Sequence, residues 1–366
     1  MRLITVDKIT PGIKLGKTIY NEKGKVLLAA GTELSEGLIR RLKKYNIFTI
    51  YIEDELSEGI EIVEAIPEEL RLEAVNLITE GLHTIADLAT SKVKGMMKSE
   101  RTIRSFQKIF KDILHCLSDN RTALNLLATT KIHENYLYMH SVNVTIYSCQ
   151  LAIANGLPLK NIEEIGIGAM LHDLGKVYVS PEILNKPGSL TQSEFEHMKT
   201  HCSLGFEVLR KLHEIPLPVA HCAFQHHERI DGTGYPRNLK GNEIHKYAKI
   251  ISVADVFDAV TSHRVYRPPI LPHKALELLY AGSGTQFDVR QVELFRDCIA
   301  IYPQGLTVKL NDGRTGIVSS YNFHSVGRPV VRIIQDEQNQ VVVPYEIDLC
   351  KPGHLHLDIV EADALL

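Results

Sequence analysis

The sequence has no tryptophan, no CxxC pair among its six cysteines and no long basic run. Cysteines without a regular framework argue against a disulfide scaffold and a zinc finger, and they suit a reducing cytosol. Lys+Arg 41 against Asp+Glu 44 gives a net charge of −3. Without a basic surface interleaved with aromatics, duplex nucleic acid is not an expected partner, whereas a small anionic ligand is compatible.

Long apolar segments are also scarce. The N-terminal MRLITVDKITPG lacks the apolar core of a secretory signal, so we expect a cytoplasmic protein. Residues 135–159 carry no charge over 25 positions, which is about the length of a bilayer span. Because polar groups such as His140, Asn143 and Gln150 would be costly in lipid, we predict a buried helix of a soluble bundle and no membrane span.

At 366 residues the chain exceeds one ordinary domain, so we predict a multidomain protein. Residues 1–64 combine short apolar runs with one helical stretch and predict a small α+β domain. Residues 65–129 predict a helical connector, and residues 130–300 an all-α domain. Residues 301–366 alternate between apolar and polar positions and predict a small β-barrel-like domain.

One apolar stripe runs along the predicted connector. Its members recur at spacings of three and four: Val75, Ile78, Leu82 and Ile85. The stripe either packs onto the neighbouring domain or forms a short coiled-coil-like homodimer contact.

Histidine is concentrated in the all-α region, where 12 of the 17 lie between His133 and His273. The central motif is His172-Asp173, and further candidate ligands are His140, His201, His226, His227 and Asp255. Five imidazoles and two carboxylates exceed the needs of one divalent ion, and a carboxylate such as Asp173 can bridge two. We therefore expect a binuclear site. This donor set contains no sulfur, which favours iron or manganese over zinc and, last, magnesium.

Five segments together resemble the HD-GYP family, the branch of HD-domain phosphohydrolases associated with hydrolysis of cyclic di-GMP. They are HDLGK (172–176), LNKPGSLT (184–191), QHHERIDGTGYP (225–236), VADVFDAVTSHRVYRP (253–268) and GSGTQFD (282–288). The similarity covers roughly residues 130 to 300 and implies a helical HD/PDEase-like catalytic domain.

The resemblance also implies which residues bind metal. One ion would be held by His140, His172, Asp173 and Asp255, and the other by Asp173, His201, His226 and His227. Some family members hold a third ion through a glutamate at the position of Tyr136. A neutral phenol is a poor substitute for a carboxylate, so we expect two metals here.

The activity implied is a metal-dependent phosphodiesterase that opens cyclic di-GMP to pGpG, and onward to GMP, through a hydroxide activated between two ions. Asp173 and Lys176 would be the catalytic residues, with the Lys176 ammonium beside the phosphate or the leaving oxygen. Arg264 and Arg267 would grip a substrate phosphate.

The Gly234-Tyr235-Pro236 loop would shape the substrate pocket and contact diguanylate cyclase domains. Two alternatives remain open: a phosphodiesterase for another cyclic dinucleotide such as cyclic GMP-AMP, or a catalytically silent sensor of cyclic di-GMP.

Overall fold

The computed structural model describes residues 1–20, 25–45, 47–90, 96–119, 136–262, 269–322 and 325–362. These fall into two compact units. The sheet unit is built from residues within 1–65 and 297–366, and the helical unit from residues within 66–120 and 136–296. The four-segment division of the sequence stays a prediction, and its boundary at 129/130 lies outside the described residues.

The described helices are α1 (Glu36–Lys44), α2 (Glu68–Thr90), α3 (Met96–Asp119), α4 (Tyr136–Ala154), α5 (Leu159–Leu171), α6 (Pro181–Leu184), α7 (Gln192–Leu209), α8 (Leu217–Gln225), α9 (Lys246–Thr261), α10 (Pro272–Ala281) and α11 (Val289–Arg296). The described strands are β1 (Arg2–Thr5), β2 (Lys14–Leu15), β3 (Ile19–Tyr20), β4 (Val26–Leu28), β5 (Thr49–Glu53), β6 (Thr307–Leu310), β7 (Thr315–Ser320), β8 (Val330–Gln335), β9 (Val341–Asp348) and β10 (Ile359–Ala362). In order along the chain, most of the helices therefore follow one region of strands and precede another, as the sequence predicts.

The sheet unit joins the two ends of the described chain. Its N-terminal sheet has the order β1-β5-β2. The amide of Leu3 donates to the carbonyl of Gly305 at 2.8 Å, and the Tyr51 hydroxyl donates to the carbonyl of Gln304 at 3.2 Å. Ile60 packs with Ile317 from the C-terminal sheet. Residues about 250 positions apart therefore share one core.

The C-terminal sheet has five antiparallel strands in the order β10-β6-β7-β8-β9. The sequence predicts a barrel-like domain, but this sheet is open. In the part of the chain that the structure describes, β10 and β9 are its two edges and do not pair with each other. The predicted strands are therefore present, but they do not close into a barrel.

Helix α4 is the charge-free segment, and it lies in the middle of the helical unit. It packs against α2, α5 and α9. Its Thr145 side chain is buried, and the hydroxyl donates to the Ser141 carbonyl at 2.7 Å. None of the described helices is long and apolar enough to cross a membrane. The interpretation as a buried bundle helix agrees with this placement.

The apolar stripe of the predicted connector is buried by packing within the chain. Val75, Ile78, Leu82 and Ile85 are all at most 4% exposed, and α2 packs against α3 and α4. Burial of such side chains stabilises each by about 1.5–3 kcal/mol relative to exposure. A homodimer through the connector would have to use another face of these helices.

A close backbone approach positions the HDLGK motif. Helix α5 ends at Leu171, and a 3-10 turn over Leu174–Tyr178 packs against α7. A Cβ atom at Gly175 would lie 1.9 Å from the His201 carbonyl oxygen, so a side chain there could not be accommodated. This glycine lets the segment after His172-Asp173 lie directly on the helix that carries His201.

Candidate metal centre

Asp173 lies at the centre of a buried cluster of histidines. Its Oδ2 is 3.3 Å from His172 Nε2 and 3.9 Å from His140 Nε2. Its Oδ1 is 3.5 Å from His201 Nε2 and 3.8 Å from His226 Nε2. Each carboxylate oxygen thus faces a different pair of rings, which is the arrangement a bridging ligand needs.

Two groups of donor atoms border a central group formed by His172, Asp173 and His226. The first donor group consists of His140, His172 and Asp255, and the second of His201, Cys202, His226 and His227. Within each group the donor atoms lie within 4.8 Å of one another. The structure therefore brings all seven predicted metal ligands into one cluster, although their binding of metal stays a prediction.

The second donor group contains one residue that the sequence interpretation did not name. The sequence interpretation expects a donor set without sulfur, but Cys202 Sγ lies 3.4 Å from His201 Nε2. The reason is that Cys202 follows His201 on α7 and its short side chain is fully buried on the cluster side. A cysteine directly after a candidate ligand was the signal available in the sequence.

Backbone carbonyls fix the direction of several rings. The Nδ1 atoms of His172 and His201 donate to the carbonyls of Ala169 and Met198, at 2.7 and 2.6 Å. His226 Nδ1 is 3.0 Å from a carbonyl on α8. Since a carbonyl can only accept, each of these rings donates from Nδ1 and leaves Nε2, on the side of Asp173, to bind a cation.

His140 has a different support. Its Nδ1 donates to Asp258 Oδ2 at 2.7 Å, and its Nε2 lies 3.0 Å from Asp255 Oδ1. Asp258 in turn accepts from the Asn143 amide at 2.8 Å, and Arg71 donates to Asn143 at 3.1 Å. A fully buried chain of polar groups therefore leads from α2 to the cluster. Asp258 stands three residues after Asp255 on the same helix, a spacing that could have indicated its role.

Two buried atoms test whether the residues fit a metal. His172 Nε2 and Asp173 Oδ1 have no hydrogen-bond partner within the described residues, although both side chains are at most 1% exposed. Leaving such groups unsatisfied costs about 1–3 kcal/mol each. A cation bound between them would satisfy both, so the donor set fits a metal.

The electrostatics of the cluster favour the protonation states in which imidazoles and carboxylates bind metal. Burial lowers the pKa of His201 to about 4, and it lowers the pKa of His226 and of the partly exposed His227 as well. Burial opposes ionisation of Asp173, yet His172 and Lys176 outweigh it and hold the pKa of Asp173 well below its usual value. Neutral imidazoles and ionised carboxylates are the forms that bind cations.

His140 differs from the other rings. Burial lowers its pKa, but the hydrogen bonds to Asp255 and Asp258 dominate and raise the pKa of His140 to about 9. The same contact with His140, against the opposing effect of burial, keeps the pKa of Asp255 below its usual value. Without metal this pair is therefore an ion pair at neutral pH, and a bound cation would take the place of the His140 proton.

The other predicted site residues are placed as follows. Lys176 Nζ is 2.5 Å from Asp173 Oδ2, with 20% of its side chain exposed. Gly234, Tyr235 and Pro236 line a cavity of about 560 Å³ that also contains His226 and His227. Arg264 and Arg267 lie outside the described residues, as does the side chain of Tyr136.

Local geometry explains the glycine of the GYP loop. A Cβ atom at Gly234 would lie 2.4 Å from the Arg229 amide nitrogen, so the loop folds back tightly on the segment after His227. The Tyr235 ring lies 4.8 Å from the His227 ring and 6.0 Å from the Phe195 ring, measured between centroids. Phe195 and the neighbouring Lys199 also line the cavity, and sequence reasoning missed both.

Comparison with known proteins agrees with this geometry. The HD domain model matches residues 85–290. The chain is 36% identical over 232 residues to a cyclic di-GMP phosphodiesterase of Pseudomonas aeruginosa, covering 63% of this chain and 56% of that protein. It is 36% identical over 203 residues to a cyclic di-GMP phosphodiesterase of Thermotoga maritima, covering 55% of this chain and 54% of that protein.

A third relative has another cyclic dinucleotide in its name. The 3'3'-cGAMP-specific phosphodiesterase 3 of Vibrio cholerae is 34% identical over 174 residues, covering 47% of this chain and 37% of that protein. The chain thus spans about half or less of the length of these curated relatives. A solved HDGYP protein from Bdellovibrio bacteriovorus aligns with a TM-score of 0.45 at 18% identity, covering 81% of this chain and 98% of that one. On its motifs, its family match and its relatives, the chain belongs to the HD-GYP branch of the HD domain family.

Proposed function

We propose that the chain is a metal-dependent phosphodiesterase that hydrolyses cyclic di-GMP to pGpG and onward to GMP. The observation that carries this proposal is the position of Asp173, whose two oxygens face two groups of buried donor atoms. The relatives named as cyclic di-GMP phosphodiesterases support the same reaction. The setting would be the cytoplasm.

Two divalent cations would occupy the cluster, with Asp173 shared between them. His140, His172 and Asp255 would complete one position, and nitrogen and oxygen donors of this kind suit iron or manganese. His201, His226 and His227 would complete the other. When bound, such a pair neutralises charge on phosphoryl oxygens and lowers the pKa of water.

The chain's own groups would orient the substrate and stabilise developing charge. Lys176 keeps part of its side chain exposed beside Asp173, so its ammonium can face the phosphate or the departing ribose oxygen. Arg264 and Arg267 would bind substrate phosphate, and their spacing of three suits two contacts to one group.

The cavity beside the cluster would hold the nucleotide. Its aromatic side chains, Tyr235 and Phe195, offer faces for a purine, and Lys199 adds a cation near both rings. Gly234 and Pro236 would keep the Tyr235 loop in place. Contact of this loop with diguanylate cyclase domains remains part of the proposal.

Cyclic GMP-AMP is the second candidate substrate, favoured by the name of the Vibrio cholerae relative. A silent cyclic di-GMP sensor is the third candidate. It is less well supported, because the donor cluster and the GYP loop are both complete.

A comparative hydrolysis assay tests these candidates. Purified protein with added manganese or ferrous iron would receive cyclic di-GMP or cyclic GMP-AMP, and linear products would be separated by chromatography. Wild type and the control Asp7→Ala, which removes an exposed carboxylate paired with Lys43, should both convert cyclic di-GMP. Asp173→Ala should not. Tight binding of cyclic di-GMP without turnover in metal-replete wild type would contradict the proposal.

A further inference from the structure

The second donor group contains a thiol among its imidazoles. Cys202 is fully buried on α7, and its Sγ lies 3.4 Å from His201 Nε2. His201 Nε2 in turn lies 3.4 Å from His226 Nε2. One donor atom from each of these residues, with one from His227, falls within 4.8 Å of the others. Within the described ranges, no other cysteine belongs to such a group.

Two donor separations in this group are those expected of neighbouring ligands on one cation. With bonds of about 2.0–2.1 Å to nitrogen and about 2.3 Å to sulfur, tetrahedral donor atoms stand about 3.3–3.6 Å apart. Both measured separations, 3.4 Å, fall in this range. Neighbouring helical residues point about 100° apart, so a sulfur this close to the preceding ring is not a general consequence of the helix.

The same cluster contains buried polar atoms without a hydrogen-bond partner among the described residues. His172 Nε2 and Asp173 Oδ1 have no hydrogen-bond partner within the described residues, and Asp173 Oδ1 is 3.5 Å from His201 Nε2. The thiol therefore lies next to buried polar atoms that a bound cation would satisfy. Cys149 provides a contrast, since it is equally buried on α4 but belongs to neither donor group.

We propose that Cys202 is a thiolate ligand of the second cation, together with His201, His226, His227 and the shared Asp173 carboxylate. On binding, the thiol proton leaves to solvent and a sulfur lone pair forms the bond to the cation, with no change of oxidation state. Sulfur and imidazole donors suit zinc, whereas the first donor group offers only nitrogen and oxygen. The centre is then chemically asymmetric. The inference rests on the metal centre of the proposed function, but not on its substrate.

Cobalt titration of metal-free protein tests this ligand without relying on activity. Bound to sulfur, Co²⁺ should give an intense near-ultraviolet charge-transfer band in wild type and in the matched control Cys149→Ala. Cys202→Ala and Cys202→Ser should lose most of that band, while weaker visible bands from cobalt in the first donor group persist. A full band in Cys202→Ala, or stoichiometric cobalt without the band in wild type, would overturn the proposal.

A second measurement needs no variant and covers the case in which Cys202 substitutions do not fold. X-ray absorption of zinc-loaded wild type should show a sulfur atom at about 2.3 Å from the metal. Nitrogen and oxygen neighbours alone would mean that the thiol keeps its proton and donates to His201. Hydrolysis without a sulfur ligand would contradict this inference but not the proposed function. A sulfur ligand without hydrolysis would contradict the proposed function but not this inference.

Discussion

The two donor groups around Asp173 are oriented by different kinds of support. In the second, His201 and His226 donate to carbonyls of their own helices, three residues earlier. In the first, His172 has the same local support, but His140 depends on Asp258, a side chain 118 positions away. Local backbone support forms whenever the helix forms, whereas side-chain support depends on long-range packing and can be removed by one substitution. The first donor group is therefore the more vulnerable one.

Asp173→Ala should have the largest effect, because it removes the ligand common to both groups. We expect loss of both cations and of hydrolysis, since each position would lose an anionic donor in a buried place. Elemental analysis with a parallel activity assay checks this, with Asp7→Ala as the control. Retention of a full metal complement by a folded Asp173→Ala protein would contradict the bridging position.

Lys176→Ala tests a residue that belongs to neither donor group. The ammonium is placed to stabilise charge on the substrate, so kcat should fall on the order of 10²-fold while metal content stays unchanged. Steady-state kinetics and elemental analysis on the same preparation measure both. Loss of metal would show instead that Lys176 is needed to hold Asp173.

Asp258→Asn addresses the first donor group alone. Loss of the carboxylate partner of His140 should weaken the cation held there by about 10–100-fold, as is usual for partners of metal-binding histidines. Chelator competition should resolve one weakened and one unchanged cation. Equal weakening of both would remove the distinction between side-chain and backbone support.

The pH dependence of metal-free protein should separate the groups by sign. The pKa of His140 is raised to about 9, so its contribution to stability is present below pH 6.5 and is lost as pH rises towards 9. The pKa of His201 is lowered to about 4, so it destabilises the fold increasingly as pH falls from 6.5 to 4. Thermal unfolding with a chelator should show the alkaline loss reduced in His140→Gln and the acid loss reduced in His201→Gln. Identical pH profiles for wild type and both variants would refute the opposite shifts.

Local patterns predicted much of the fold. The charge-free segment 135–159 predicted a buried helix, and α4 spans Tyr136–Ala154 inside the helical unit. Apolar alternation after residue 303 predicted the strands that form β6 to β9. Neither signal specifies partners distant in the chain. Local patterns therefore could not predict that the two regions of strands form one sheet unit, through contacts such as that of Tyr51 with Gln304.

The site shows the same division. Motif recognition named seven ligands, and the structure brings Asp173 and the other six into one cluster, whose binding of metal stays a prediction. It missed the support of His140, because Arg71 is one of several charged residues in α2 and its burial appears only in the folded chain. It also missed Cys202, because the motif gives a role to His201 and none to the residue after it.

The most direct test of the central claim is a crystal structure of the metal-loaded protein with anomalous data collected at the edges of the bound metals. The account predicts two anomalous peaks about 3.5–4 Å apart, one on each side of the Asp173 carboxylate. A single peak, or peaks that Asp173 does not join, would contradict it.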